Sequence, residues 1–267
     1  MNNRCICCPA RAGEEVRLDL IKILGALAER KEELDHVVIE STGLANPAPI
    51  AQTFFLHEGV KEHFTLDAVV TMIDALHIDK QLSHTPEAKD QVAFADRLVI
   101  NKTDLVEPDE LAAVRNTLSG INPLADVLEA EPHARGVSID DVLDLRAFSL
   151  DRILQERPGF LTDTEHVHDK HVKSVGLIVE QPLDPDKVQA WMQSVLHDQG
   201  EDVLRFKGIL NVEASSKQFV FQGVHTIFDG RLGRPWRRDE ARESRIVFIG
   251  RGLDREALEA GLLSCCV

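Results

Sequence analysis

Asp96-Arg97-Leu98-Val99-Ile100-Asn101-Lys102-Thr103-Asp104-Leu105 sets a short continuous apolar run, Leu98 to Ile100, directly against four polar residues. Such a run is expected of a strand buried on both faces of a parallel sheet. In open α/β sheets ligands bind beyond the carboxyl ends of the strands, which is where Asn101 to Asp104 fall. The same residues also suit a plain polar turn from strand to helix, with Asp104 or Glu107 near the helix start.

Working outward, Ala68-Val69-Val70-Thr71-Met72-Ile73-Asp74 reads as a second strand with an acid at its carboxyl end, and Pro86 to Ala95 as a helix delivering the chain into Asp96. Pro108 to Leu118 is a helix with proline near its start, stopped by Gly120-Ile121-Asn122-Pro123. Strand, helix and strand in alternation predict parallel pairing with right-handed crossovers. Farther upstream, Val16, Leu20, Ile23, Leu24 and Leu27 have the spacing of an amphipathic helix across Gly13 to Arg30. His36-Val37-Val38-Ile39-Glu40 then reads as a buried strand ending in an acid, followed by Ser41-Thr42-Gly43. An acid placed there suits Mg²⁺, held directly or through water, and Gly43 allows a backbone N–H to approach a phosphate without interference from Cβ. The alternative is a helix-capping turn made by Ser41 or Thr42 ahead of Pro47.

The five cysteines are unevenly placed: Cys5, Cys7 and Cys8 near one end, Cys265 and Cys266 near the other. An odd count with three thiols in four positions is a poor disulfide framework and suits a reduced cluster for Zn²⁺ or another thiophilic metal, completed by a further ligand or left with an open position. The adjacent pair Cys265-Cys266 reads as helix-end residues. His166, His168 and His171 form a second candidate metal-binding stretch, or a solvated linker that carries histidines by chance.

The formal charge of −15 works against nucleic acid and anionic membranes as partners, and an aromatic content of 5% without tyrosine leaves little for base stacking. No apolar run approaches the roughly 20 residues of a membrane span, so the expected location is cytoplasmic. From Glu129 to Thr164 the periodicity weakens, which predicts a domain junction. Beyond it come a strand at Val175 to Val179 and a helix from Asp184-Pro185 with Val188, Trp191, Met192, Val195 and Leu196 on one face. Three strand-like runs (Val203 to Val212, Gln218 to Phe228, Arg245 to Gly250) and a last helix capped by Asp254 follow. Strands in succession predict antiparallel pairing and an α+β unit.

Asn101-Lys102-Thr103-Asp104 resembles the Asn-Lys-x-Asp guanine-recognition motif of P-loop GTPases. A charged carboxylate accepting two hydrogen bonds favours guanine over adenine, which lacks the matching pair of donors. Taken in order, Cys-x-Cys-Cys, a helix, Glu-Ser-Thr-Gly-Leu-Ala-Asn-Pro, a strand and Asn-Lys-Thr-Asp resemble the CobW family of P-loop GTPases, metallochaperones for zinc and, in some members, cobalt. Asn122-Pro123-Leu124-Ala125, Phe221 to His225 and Val247 to Arg251 extend the resemblance over nearly the whole chain.

It implies metal binding by Cys5, Cys7 and Cys8. It also implies Walker B and switch II roles for Glu40 and Gly43, and guanine binding by Asn101, Lys102 and Asp104. The cofactors implied are GTP, Mg²⁺ and Zn²⁺, with cobalt as the other metal, and the partner is a client metalloprotein. The expected architecture is a partial P-loop GTPase domain over residues 1–160, mostly parallel sheet with flanking helices, followed by a smaller α+β domain over residues 161–267.

Two departures are evident. No Gly-x-x-x-x-Gly-Lys-Ser/Thr loop occurs in these residues, so by the family pattern an amino-terminal segment is lacking, and Arg4 stands where the family has glycine before the first cysteine. A catalytically inert metal-binding or regulatory module, or an inactive fragment, is the other reading these departures support.

Overall fold

A computed structural model describes residues 14–43, 45–130, 136–147 and 172–267. The chain divides into two compact units, one up to Leu66 and one from Asp67 onward.

In the first unit, α1 (Glu14–Ala28), α2 (Ala48–Leu56) and the single turn α3 (Glu58–Lys61) gather a small core of Leu20, Leu24, Phe54 and Val60. Proline immediately before α2 fixes a helical φ without sacrificing a needed N–H, and Asn46 Oδ1 accepts from Ala48 N at 2.8 Å. The expected strand at His36 to Glu40 does not form. Only Ile39 turns toward the core, and Val38 is 76% exposed. A strand is a pairing relationship, and no described strand forms a ladder with this stretch.

The second unit holds two sheets. The first is parallel, in the order β1 (Val70–Asp74), β2 (Arg97–Asn101), β3 (Asp126–Glu129), with Asp74 opposite Asn101 at the carboxyl edge. The helices α4 (Ile78–His84) and α5 (Pro86–Phe94) lie between β1 and β2, and α6 (Pro108–Ile121) lies between β2 and β3. β2 is the central strand and, as the sequence predicts, it is buried: Leu98, Val99 and Ile100 are at most 1% exposed. At the end of α6, buried Asn122 donates through Nδ2 to the carbonyls of Val92 (2.7 Å) and Ala95 (2.9 Å) while its Oδ1 accepts from Leu124 N (3.0 Å). One amide thereby ties the ends of α5 and α6 together and satisfies backbone groups that a helix end leaves open.

The other sheet is antiparallel throughout, in the order β4 (Lys173–Val179), β8 (Ser244–Gly250), β5 (Val203–Leu210), β6 (Lys217–Val224), β7 (Ile227–Pro235). Helices α7 (Pro185–Gln199) and α8 (Arg255–Ser264) supply Val188, Met192, Leu196, Leu258 and Leu262 to a core with Val175, Phe206, Phe221 and Phe248 from the strands. Asp184 caps α7 by accepting from Asp186 N and Lys187 N, and Asp254 caps α8 through Ala257 N. The expected run from Gln218 to Phe228 is in fact two strands, broken at His225 and Thr226, where His225 takes φ 50°.

The two sheets of this unit meet through a buried ion cluster. Alternate residues Arg205 and Lys207 of β5 point to the face opposite the aromatic core and converge on Asp96, which immediately precedes β2. Lys207 Nζ lies 2.9 Å from Asp96 Oδ1 and 3.0 Å from the Ala147 carbonyl. The Arg205 guanidinium donates to Asp96 and to the Phe94 carbonyl, and Val69 N donates to the second Asp96 oxygen at 2.9 Å. All three side chains are at most 2% exposed.

Candidate functional site

At the carboxyl edge of the parallel sheet the chain leaves β2 through Lys102, which adopts the left-handed conformation at φ 60°, ψ 36°. A non-glycine residue in this region costs of order 1 kcal/mol, and such positions collect at ligand sites. The reversal carries the backbone into a single 3₁₀ turn, Thr103–Leu105, locked by Thr103 Oγ1 donating to the Ala130 carbonyl beyond β3 at 3.0 Å. The Asn101 carbonyl accepts from Ala75 N at 3.0 Å, so the ends of all three strands are joined at this turn.

Three polar heads result. The Asn101 side chain and the exposed Asp104 carboxylate have no hydrogen-bond or ion-pair partner among the described residues. Lys102 Nζ reaches across to Asp74 Oδ2 at 2.6 Å. Asp74, the acid that the sequence places at the carboxyl end of its strand, also accepts through Oδ1 from Leu76 N and His77 N. The Lys102 ammonium first, with His77 in support, outweighs partial burial and holds the Asp74 carboxyl below the usual range. Asp74 is thus a positioning group: it orders the turn after β1 and anchors the Lys102 stem across the mouth of the site. Its strand-end position was legible in the sequence, but its lysine partner was not. Glu107 precedes α6 as the capping reading expected, its amide donating to Glu110 at 2.9 Å, which leaves Asp104 uncommitted.

Glu40 and Gly43 belong to the first unit. Glu40 is exposed and has no partner among the described residues, and a Cβ built on Gly43 would meet nothing within 4 Å. The exposed Glu40 carboxylate is open to a hydrated cation, and a side chain at position 43 would meet no described atom. Cys5, Cys7, Cys8, His166, His168 and His171 lie outside the described residues. Among the described residues no group of three His, Cys, Asp or Glu side chains is arranged to hold a metal. Cys265 is buried against α8, its thiol donating to the Gly261 carbonyl at 3.3 Å, in agreement with a helix-end role. No described helix is long and apolar enough to cross a membrane.

A parallel α/β sheet with a left-handed Asn-Lys-x-Asp turn at its carboxyl edge, followed by an antiparallel sheet backed by helices, defines a nucleotide-binding α/β protein with an α+β appendage. Comparison with known proteins gives the family. Residues 1–129 match the CobW/HypB/UreG nucleotide-binding domain and residues 172–266 the cobalamin synthesis protein cobW C-terminal domain. The zinc chaperone YjiA of Escherichia coli is 31% identical over 261 residues, covering 97% of this chain and 79% of that protein. The zinc-regulated GTPase metalloprotein activator 1 of Schizosaccharomyces pombe is 32% identical, covering 96% and 68%. The crystal structure of Zn(II)-bound YjiA GTPase from E. coli superposes with a TM-score of 0.80 at 27% identity, covering 96% of this chain and 79% of that one. The chain belongs to the CobW family.

Proposed function

We propose that the chain is a guanine-nucleotide-binding zinc chaperone, in which nucleotide state governs metal hand-over to a client metalloprotein. The observation that carries this reading is the turn after β2, where Asn101 and Asp104 present unpartnered polar heads and Lys102 is preset in a left-handed conformation. Asn101 and Asp104 read the base edge, and the Lys102 stem covers its flat face. Glu40 faces Mg²⁺, which when bound shields phosphate charge, and Gly43 offers its N–H to the terminal phosphate. Zinc, or cobalt, is the cargo, taken up by Cys5, Cys7 and Cys8. Residues 1–160 form the nucleotide-binding domain and residues 161–267 the domain that meets the client, in the cytoplasm. The zinc-chaperone and GTPase descriptions of the relatives support the reading.

The test is isothermal titration with GTP and ATP. Asp104→Asn replaces one carboxylate oxygen by a donor that faces the donors of guanine, so GTP binding should weaken by roughly 1–3 kcal/mol while ATP binding stays weak. Equal affinity of the unaltered chain for GTP and ATP removes the guanine assignment.

Hydrolysis is a separate matter. Phosphoryl transfer relies on a glycine-rich loop and its lysine to cradle the phosphates, and these 267 residues contain no such motif. The expected result is nucleotide binding with negligible GTP turnover, read by phosphate release. Steady turnover that disappears in Glu40→Ala would reveal a phosphate site elsewhere in the chain.

A further inference from the structure

The antiparallel sheet ends in two unlike edges. β4 is largely buried, whereas β7 pairs on one side with β6 and, among the described residues, with no strand on the other. Which main-chain groups of β7 face outward follows from its neighbours. His225 N donates to the Leu204 carbonyl at 3.2 Å, so by alternation Phe221 and Gly223 bond toward β5, and Val220, Gln222 and Val224 toward β7. The partners of these last three are Arg231, Asp229 and Ile227. The N–H and C=O groups of Phe228, Gly230 and Leu232 therefore point away from the sheet, and no described residue hydrogen-bonds to them.

The same three residues stand opposite Gly223, Phe221 and Phe219, on the aromatic face of the sheet. Phe228 is nevertheless 41% exposed and Leu232 61%, so the helices that bury this face elsewhere leave its last strand bare. An unpaired, partly apolar edge is a template for another strand.

Natural edges are usually defended by charge, which repels an incoming strand of like charge. Here the charges have the opposite effect. The strand reads Phe228-Asp229-Gly230-Arg231-Leu232, apolar at the outer positions and oppositely charged at the inner ones, symmetrically about Gly230. Arg231 is exposed, with no ion-pair partner among the described residues. When two copies pair antiparallel with Gly230 facing Gly230, Phe228 stands opposite Leu232 and Asp229 opposite Arg231, and the symmetry repeats both matches. The outward groups of Phe228, Gly230 and Leu232 then make the hydrogen-bonded pairs. The charged positions fall in the closer, non-hydrogen-bonded pairs, where opposite signs stabilise and like signs destabilise. We propose that β7 is a self-association edge, to which a second copy of this chain adds its own β7 antiparallel about Gly230, joining the two sheets into one. The edge is independent of the guanine and zinc assignments.

One strand pair buries less than a standard interface, so the dimer should be weak and reversible. Sedimentation equilibrium of the unaltered, nucleotide-free chain, with a chelator and a reductant present to exclude metal and disulfide bridges, should show monomer and dimer exchanging with concentration. Asp229→Arg and Arg231→Asp should each weaken the dimer at least tenfold, because either change sets like charges opposite each other at both symmetry-related positions. Mixed in equal amounts, the two variants should associate again, since one strand is then wholly positive and the other wholly negative. That recovery requires both variants to be folded, which separates lost charge matching from lost structure. An unaltered chain that stays monomeric at every concentration leaves the edge to a strand of another protein and overturns the proposal. A dimer that neither variant weakens, or variants that stay apart on mixing, overturns it equally.

Discussion

Asp96→Ala should lower the unfolding free energy of the second unit by roughly 3–5 kcal/mol, the typical consequence of stripping the counter-ion from a buried pair. Arg205 and Lys207 are almost fully excluded from water, and Asp96 is their shared anion. Burial favours protonation of Asp96, but the two cations and the Val69 amide together outweigh it and keep the carboxyl below the ordinary range. Burial first, and the nearby Arg205 charge second, depress Lys207 from 10.5 to about 8 against the raising effects of Asp96 and Asp126.

Two contrasts follow from that depression. Lys207→Met leaves Asp96 paired with Arg205 and should cost far less than Asp96→Ala, which takes the anion from both buried cations. The linkage to pH also has a definite sign. Between about 8 and 10.5 the unfolded chain holds the Lys207 proton more tightly than the folded one, so this residue makes stability rise with pH across that window and contributes no slope below it. Urea unfolding of the native chain and Lys207→Met at a series of pH values isolates the difference. Parallel curves through that window would mean that Lys207 keeps an ordinary pKa in the fold.

Zinc affinity should fall by more than about 100-fold in the combined Cys5→Ser, Cys7→Ser, Cys8→Ser chain. Losing only an outer-shell partner already weakens metal sites 10–100-fold, and here the thiolates themselves are removed. The affinity of the unaltered chain should also decline as pH falls, because protons compete for thiolate sulfur. Competition titration with a chromophoric chelator measures both. Unchanged affinity in the serine chain would transfer the site to other residues, with His166, His168 and His171 next to be replaced.

The sequence made the site's location legible because a buried parallel strand leaves an unmistakable mark: three apolar residues, then four polar ones. The helices α5, α6, α7 and α8 could be read for a similar reason, since proline or aspartate marks their starts and their apolar positions recur at helical spacing. Other elements depended on partners that local sequence does not contain. His36 to Glu40 has strand composition but no described neighbour with which to form a ladder. The four-residue β3 is too short to announce itself and exists by pairing with β2. The hairpin between β6 and β7 turns at His225-Thr226 without the Asn-Gly or Gly-rich signal that usually marks a two-residue turn, so two strands read as one. Asp96 stood in the deciding stretch without a role, because its cations lie more than 100 residues away. The available clue was Arg205 and Lys207 at alternate positions of an apolar strand, a pattern that requires a buried acid somewhere in the fold.

The left-handed backbone at Lys102 narrows what mutation can do there. Glycine and asparagine enter that region cheaply but carry no cation to reach Asp74. Valine, isoleucine and threonine are shut out by the branched Cβ before their polarity matters, and arginine keeps the charge while inheriting the same conformational penalty. Every single change that relaxes the turn therefore empties the place opposite Asp74, and the one that keeps the charge relaxes nothing. Position 102 is a mutational dead end, in which backbone shape and side-chain charge constrain drift jointly.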